Sequence, residues 1–224
     1  VIWITGASSG IGQATAYEFA KQGEQLILTA LEGEDLIKTG EQCTAYGAKG
    51  VKLLPFNLLE TDKIDPLCDE AWNAFGKVDV LYCNAGISQR TNVEDTDMSM
   101  IRRIMELNYF APVLMTKNLL PRMIAAGGGQ FAVTTSINGR FGFPLRCGYS
   151  SSKHALFRQS ITTRIYVSRL YAQEEFRPIF HSLLSRKAAS SMESLMPVRQ
   201  TDLLRLRPVS SSTRPSVRKK EKSL

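Results

Sequence analysis

Residues 157–224 contain no glycine, although 16 glycines precede them in the 224-residue chain. Average usage would place roughly five glycines in a segment of that length. The absence divides the chain into two parts of different composition. Metal-ligand patterns are missing too: Cys43, Cys68, Cys83 and Cys147 show no CxxC spacing, and the only histidines are His154 and His181. That excludes the common zinc arrangements and points to reduced, mostly buried thiols in a reducing compartment, with no metal. No apolar run approaches the roughly 20 residues needed to span a bilayer, and no signal peptide is visible. The chain opens at Val1, inside an expected strand and without a methionine. An N-terminal leader is therefore expected to be missing, and a cytoplasmic location is a default.

The net charge of +7 invites a nucleic-acid reading, but the charge is unevenly placed. Residues 1–156 carry 14 Lys/Arg and 16 Asp/Glu, whereas residues 157–224 carry 14 and 5. The basic character belongs to the tail, which lacks interleaved aromatics and any recognisable module, so no specific nucleic-acid partner is expected. Two regions follow: 1–156, a first domain, and 157–224, a divergent basic tail, expected to be partly helical and then disordered.

The first region alternates strand and helix. Apolar runs at 1–5, 25–29, 51–57, 78–84 and 130–136 read as strands buried on both faces. Helices are expected over 13–21, 34–46, 61–75 and 98–126, the last kinked by Pro112 and Pro121. Such alternation implies an α/β fold, a doubly wound parallel sheet of Rossmann-like type with right-handed crossovers.

Two motifs carry chemistry. TGASSGIG (residues 5–12) joins the first strand to the first helix. Gly6, Gly10 and Gly12 let the backbone turn tightly and approach a pyrophosphate, while the helix N-terminus offers N–H groups and a positive dipole end. No lysine follows these glycines, which disfavours a nucleoside-triphosphate loop. Further on, Tyr149 and Lys153 stand four apart, on one face of a helix. A tyrosine with a pKa near 10 is a poor base at neutral pH, and a neighbouring ammonium favours the phenolate. Ser136 falls at the carboxyl end of a parallel strand, where ligands bind in such sheets.

TGASSGIG, CNAG at 83–86, Asn108 in ELNYF, Ser136 in TTSINGR and Tyr149-Ser-Ser-Ser-Lys153, in this order and spacing, resemble the short-chain dehydrogenase/reductase family over residues 1–156. The stretches NAGISQRT and GYSSSKHAL are most similar to the branch that reduces steroid, retinoid or other hydrophobic carbonyls. The resemblance implies an NAD(P)-dependent oxidoreductase that interconverts a carbonyl and a secondary alcohol. Tyr149 would be the acid/base, Lys153 its helper and a ribose ligand, Ser136 the donor to the substrate oxygen, and Asn108 the holder of a relay water. Gly6, Ser8, Ser9, Gly10, Ile11, Gly12, Asn57, Asn84, Ala85 and Gly86 would bind the cofactor together with Tyr149 and Lys153. That cofactor is NADP or NAD, with NADP slightly preferred by resemblance. The partner is a small-molecule carbonyl or alcohol, and the family forms homodimers or tetramers.

The chain departs from the family pattern at several positions. Ala30 stands where NAD users place an aspartate, and Leu31 and Glu32 stand where NADP users place arginines. Asn57 replaces the aspartate near the adenine, and Cys83 the first asparagine of Asn-Asn-Ala-Gly. After Lys153 there is no Pro-Gly, with which the family's sixth strand ends. The C-terminal strands and substrate-loop helices are thus expected to be missing or replaced, leaving a bare sheet edge, with residues 161–167 extending the helix. A reading-frame shift near Phe157 would produce this tail, and a genuine divergent tail is the alternative. The alternative function is an inactive or scaffold-type dinucleotide-fold protein.

Overall fold

The structure, a computed structural model, describes residues 1–31, 33–162 and 167–170. Glu32 and most of the basic tail lie outside the described residues, and so do the expectations of tail helix and disorder beyond residue 170.

Strand β1 (Ile2–Thr5) is buried along its whole length, as its apolar and β-branched residues require of a central strand. Around it run α1 (Gly10–Lys21), β2 (Gln25–Ala30), α2 (Glu34–Ala45), β3 (Gly50–Pro55), α3 (Ile64–Phe75) and β4 (Val80–Cys83). Then come α4 (Met98–Met105), α5 (Ala111–Ala125), β5 (Gln130–Thr134), α6 (Cys147–Thr162) and β6 (Val167–Leu170). The strands form one sheet in the order β3-β2-β1-β4-β5-β6, every pairing parallel. This is the doubly wound order, with its switch point between β1 and β4.

Strand alternation sorts the core. Trp3, Ile27, Leu81, Phe131 and Val133 point to the face covered by α3 and α5, where they meet Leu67, Cys68, Met115 and Leu119. Ile2, Ile4, Leu26 and Leu28 face the opposite way, toward α1 and α2, whose Phe19, Ala20, Leu36 and Cys43 are buried. The Trp3 indole N–H would be stranded in the first layer without a partner. It donates to Thr29 Oγ1 at 2.9 Å, and both residues are fully buried.

Two features go beyond what the residues signal. In the long middle helix the register widens just before Pro112, into a π segment at Glu106–Phe110. Pro112 has no N–H to donate to the carbonyl of Asn108, four residues earlier. The ladder shifts to i→i−5 here, with the Ala111 N–H donating to Glu106 O. The widening absorbs the missing donor. Second, the edge of β5 is not bare. Helix α6 is described to Thr162, residues 163–166 lie outside the described residues, and the backbone of Val167–Leu170 pairs with Phe131–Thr134. A replacement segment therefore takes the sixth strand position.

Thr29→Val keeps the shape of the side chain but leaves the Trp3 N–H unpartnered. It is expected to lower unfolding stability by about 1–3 kcal/mol in urea titrations. An unchanged midpoint would show that the indole has another partner.

Candidate active site

The carboxyl ends of β1, β4 and β5 meet at one hydrogen-bonded junction. Thr5 Oγ1 accepts the backbone N–H groups of Asn84 and Ala85 at 3.0 and 3.2 Å. The Asn84 side chain bridges the other two elements: Nδ2 donates to Gly6 O at 3.2 Å, and Oδ1 accepts from Thr134 Oγ1 at 2.9 Å. Since Thr134 donates there, the 2.8 Å contact from Tyr82 must be a bond donated by the Tyr82 hydroxyl. Burial pushes that phenol up to about 12, which keeps it protonated as the donor.

The glycine-rich turn is tight for steric reasons. Gly6 has φ +65°, and a Cβ on Gly12 would fall 2.2 Å from Gly6 O and 2.7 Å from Asn84 Nδ2. Ser9, the N-cap of α1, makes no side-chain cap bond. The first N–H groups of the helix are therefore left for an anion.

On the other side, α6 presents Tyr149 and Lys153. Lys153 is 4% exposed, and its Nζ donates to Thr134 O at 2.8 Å. The same nitrogen lies 5.9 Å from the centre of the Tyr149 ring. Burial pulls the Lys153 ammonium down to about 8, partly offset by Cys83. Asn108 is fully buried within the π segment, and every donor of its amide is used. Oδ1 accepts from Ile87 N at 2.9 Å, while Nδ2 donates to Ile87 O at 2.9 Å and to Ser152 Oγ at 3.0 Å. Ser136 caps the 3-10 turn Ile137–Gly139, its Oγ accepting from Asn138 N at 3.2 Å.

A cavity of about 260 Å³ is lined by Ile11, Asn84, Gly86, Tyr149 and Lys153, with Ile87, Ser88 and Thr134; Ser136 and Asn108 are not among its lining residues. Five residues expected from sequence thus share one cavity. Gly6, Ser9, Gly10, Gly12 and Ala85 build the turn and wall behind it. Asn108 sits directly behind Gly86, where an added Cβ would come 3.1 Å from Asn108 Oδ1 and 3.6 Å from Lys153 Nζ. Ser8 lines a second cavity, of about 360 Å³, at the end of β2. Asn57 lines neither; its Oδ1 accepts from Leu59 N at 3.2 Å in the turn after β3. Cys83 points into the core, and burial pushes its thiol up to about 12, so the departure at this position leaves the cavity untouched. Thr5, Thr134, Ser152 and Gln89 lie inside the quoted motifs without being singled out there as site residues, and their roles emerge only from the contacts between distant segments.

The sequence pattern of the short chain dehydrogenase family matches residues 1–164. The chain belongs to the short-chain dehydrogenase/reductase family. It is 38% identical over 159 residues to human Dehydrogenase/reductase SDR family member 7, covering 70% of this chain and 47% of that protein. It is 39% identical over 160 residues to Dehydrogenase/reductase SDR family member 7B of Bos taurus, covering 69% and 49%. The chain thus spans about half the length of the curated relatives it matches. Among solved structures, a metagenomic short-chain oxidoreductase in complex with NADP shares the fold, with TM-score 0.75, 24% identity and coverage of 82% of this chain and 88% of that one. An alcohol dehydrogenase from Thermococcus sibiricus complexed with 5-hydroxy-NADP gives TM-score 0.71 and 26% identity, covering 76% and 74%. An NAD+-bound xylitol dehydrogenase gives 0.67 and 26%, covering 71% and 61%. No described helix is long and apolar enough to cross a membrane.

The buried lysine has a consequence for stability. Its folded pKa of about 8 lies below the ordinary 10.5, so the folded chain binds fewer protons than the unfolded one between those values. Stability therefore rises with pH across this window, and below it the cost of burying the ammonium is fully present, roughly 3 kcal/mol at most. Lys153→Met is expected to be more stable than wild type by about 1–2 kcal/mol at pH 7, after loss of the bond to Thr134 O. The gap in urea titrations should shrink toward pH 10.5. A gap that does not depend on pH would contradict this account.

Proposed function

We propose that the chain is an NAD(P)-dependent oxidoreductase interconverting a carbonyl and a secondary alcohol, with residues 1–156 carrying the cofactor and catalytic side chains. One observation carries the reading: Tyr149 and Lys153 line the same cavity as Ile11, Asn84 and Gly86, at the switch point of the sheet. The glycine cradle and the uncapped N-terminus of α1 fit a dinucleotide, which supplies the hydride when bound.

The chain's own residues would manage the proton and the geometry. Tyr149 donates its phenolic proton to the carbonyl oxygen, or takes one from the alcohol. Lys153 holds positive charge beside that ring and keeps donors for ribose hydroxyls beyond the one given to Thr134 O. Ser136 Oγ already accepts from Asn138 N, so its hydroxyl proton is the part it can offer to a substrate oxygen. Asn108 acts through its backbone carbonyl, because its amide donors are spent and Pro112 cannot bond that carbonyl in α-helical register. The segment between Ser136 and Tyr149 exposes Ile137, Phe141, Phe143 and Leu145, which favours hydrophobic carbonyl substrates.

The cavity at the end of β2 bears on the cofactor. Among the described residues its lining is Ser8, Leu31, Gly33, Glu34, Asp35 and Leu36, with two carboxylates and no basic side chain. A 2′-phosphate placed there would be repelled, so NAD is favoured over NADP, against the preference drawn from resemblance. The solved relatives include one with an NADP analogue and one with NAD+.

Tyr149→Phe is expected to lower turnover of a hydrophobic ketone by at least about 10²-fold while NADH still binds. Turnover that survives the substitution would sink the mechanism. In the wild type, kcat/KM should decline above pH about 8 as the Lys153 ammonium is lost. The ratio of kcat/KM for NADH over NADPH should exceed about tenfold, a difference of about 1.4 kcal/mol. A preference for NADPH would overturn the assignment at β2.

A further inference from the structure

Gln89 lies in the NAGISQRT stretch without an assigned role there; it is 7% exposed, and both ends of its amide are engaged. Its Oε1 accepts the Tyr149 backbone N–H at 3.1 Å, and its Nε2 donates to Cys147 Sγ at 3.3 Å. Its carbonyl accepts from Arg146 Nη1 at 2.9 Å. Helix α6 begins at Cys147, so the Tyr149 N–H belongs to the first turn, which the helix cannot satisfy from within. The usual remedy is Ser, Thr, Asp or Asn just before the helix. Arg146 stands there instead, and its side chain has no acceptor. The acceptor comes from a residue 60 positions earlier in the chain.

We propose that Gln89 is the N-terminal cap of the Tyr149 helix and a positioning residue, setting where Tyr149 stands relative to the cofactor wall at 84–86; this rests on the dehydrogenase reading above. The loop after β4 is pinned at three points. Asn84 and Ala85 hang from Thr5, Ile87 is clasped by Asn108, and Gln89 holds the start of α6. The short run from Gly86 to Gln89 thus links the cofactor wall directly to the residue that moves the proton. Gln89 does not line the cavity, so it acts through Tyr149 and not on substrate or cofactor. Displacement of a reacting group by about 1 Å can cost about 10²-fold in rate.

The test uses the 224-residue chain with Gln89→Met, which keeps length and loses both hydrogen bonds, and Gln89→Glu, which keeps the acceptor. Three quantities are read: backbone hydrogen exchange at Tyr149, NADH affinity, and kcat with KM. Gln89→Met is expected to speed exchange at the Tyr149 amide by about tenfold, to leave NADH affinity within about twofold, and to lower kcat by about 10- to 100-fold at unchanged KM. Gln89→Glu should restore both exchange protection and kcat. Unchanged exchange at Tyr149 in Gln89→Met would overturn the proposal, and so would a kcat loss that Gln89→Glu does not repair. A wild type without turnover defeats the dehydrogenase reading, and exchange at Tyr149 then decides the cap alone. Should Gln89→Met fail to fold, the wild type decides: a Tyr149 amide exchanging as fast as that of a disordered peptide rejects the cap.

Discussion

The site depends on one half-buried junction, in which Thr5 and Asn84 tie together the ends of three strands. Parallel strands end where their hydrogen-bond ladders stop, and each end leaves backbone groups to be satisfied. Thr5 Oγ1 takes two N–H groups from the chain leaving β4, while Asn84 spans from Gly6 O to Thr134 Oγ1. The three ends therefore cannot splay, and the glycine turn is held against the loop that carries Gly86. The same junction explains why Gly12 tolerates no side chain, because Gly6 O and Asn84 Nδ2 occupy the space.

From this junction the chain spends stability to obtain a site. Lys153 is buried against Thr134 O, where burial disfavours its charge. Asn108 fills its hydrogen bonds only because the helix widens to i→i−5 at Glu106–Phe110 and turns the amide toward Ile87 and Ser152. π segments of this sort are frequent at functional sites. The costs are concentrated around one cavity, which is the pattern expected of an active site and not of a core optimised for stability alone.

Much of this was legible in the residues. The apolar runs gave five strands within two residues of their observed ends, because central strands buried on both faces leave little freedom of pattern. Strand β3, at the sheet edge, is only half-buried, against the expectation that it is covered on both sides. The spacing of Tyr149 and Lys153 placed them on one helix face, and TGASSGIG identified the turn. What stayed hidden depends on distant pairs. Pro112 signalled a break in the middle helix, but not that a π segment would absorb it. Gln89 lies in a stretch that carried the resemblance, but its role was hidden, since its partners lie 58 to 60 residues away. The sixth strand was invisible because the usual Pro-Gly ending is absent and residues 167–170 carry no clear alternation.

The central claim is that this junction builds a nicotinamide-dinucleotide site in the 224-residue chain. Calorimetric titration of NADH into the wild type and into Asn84→Ala tests it most directly. Binding at one site, weakened by about tenfold or more in a still-folded Asn84→Ala, is the predicted result, equivalent to about 1.4 kcal/mol. No binding to the wild type, or an affinity indifferent to Asn84→Ala, would contradict it.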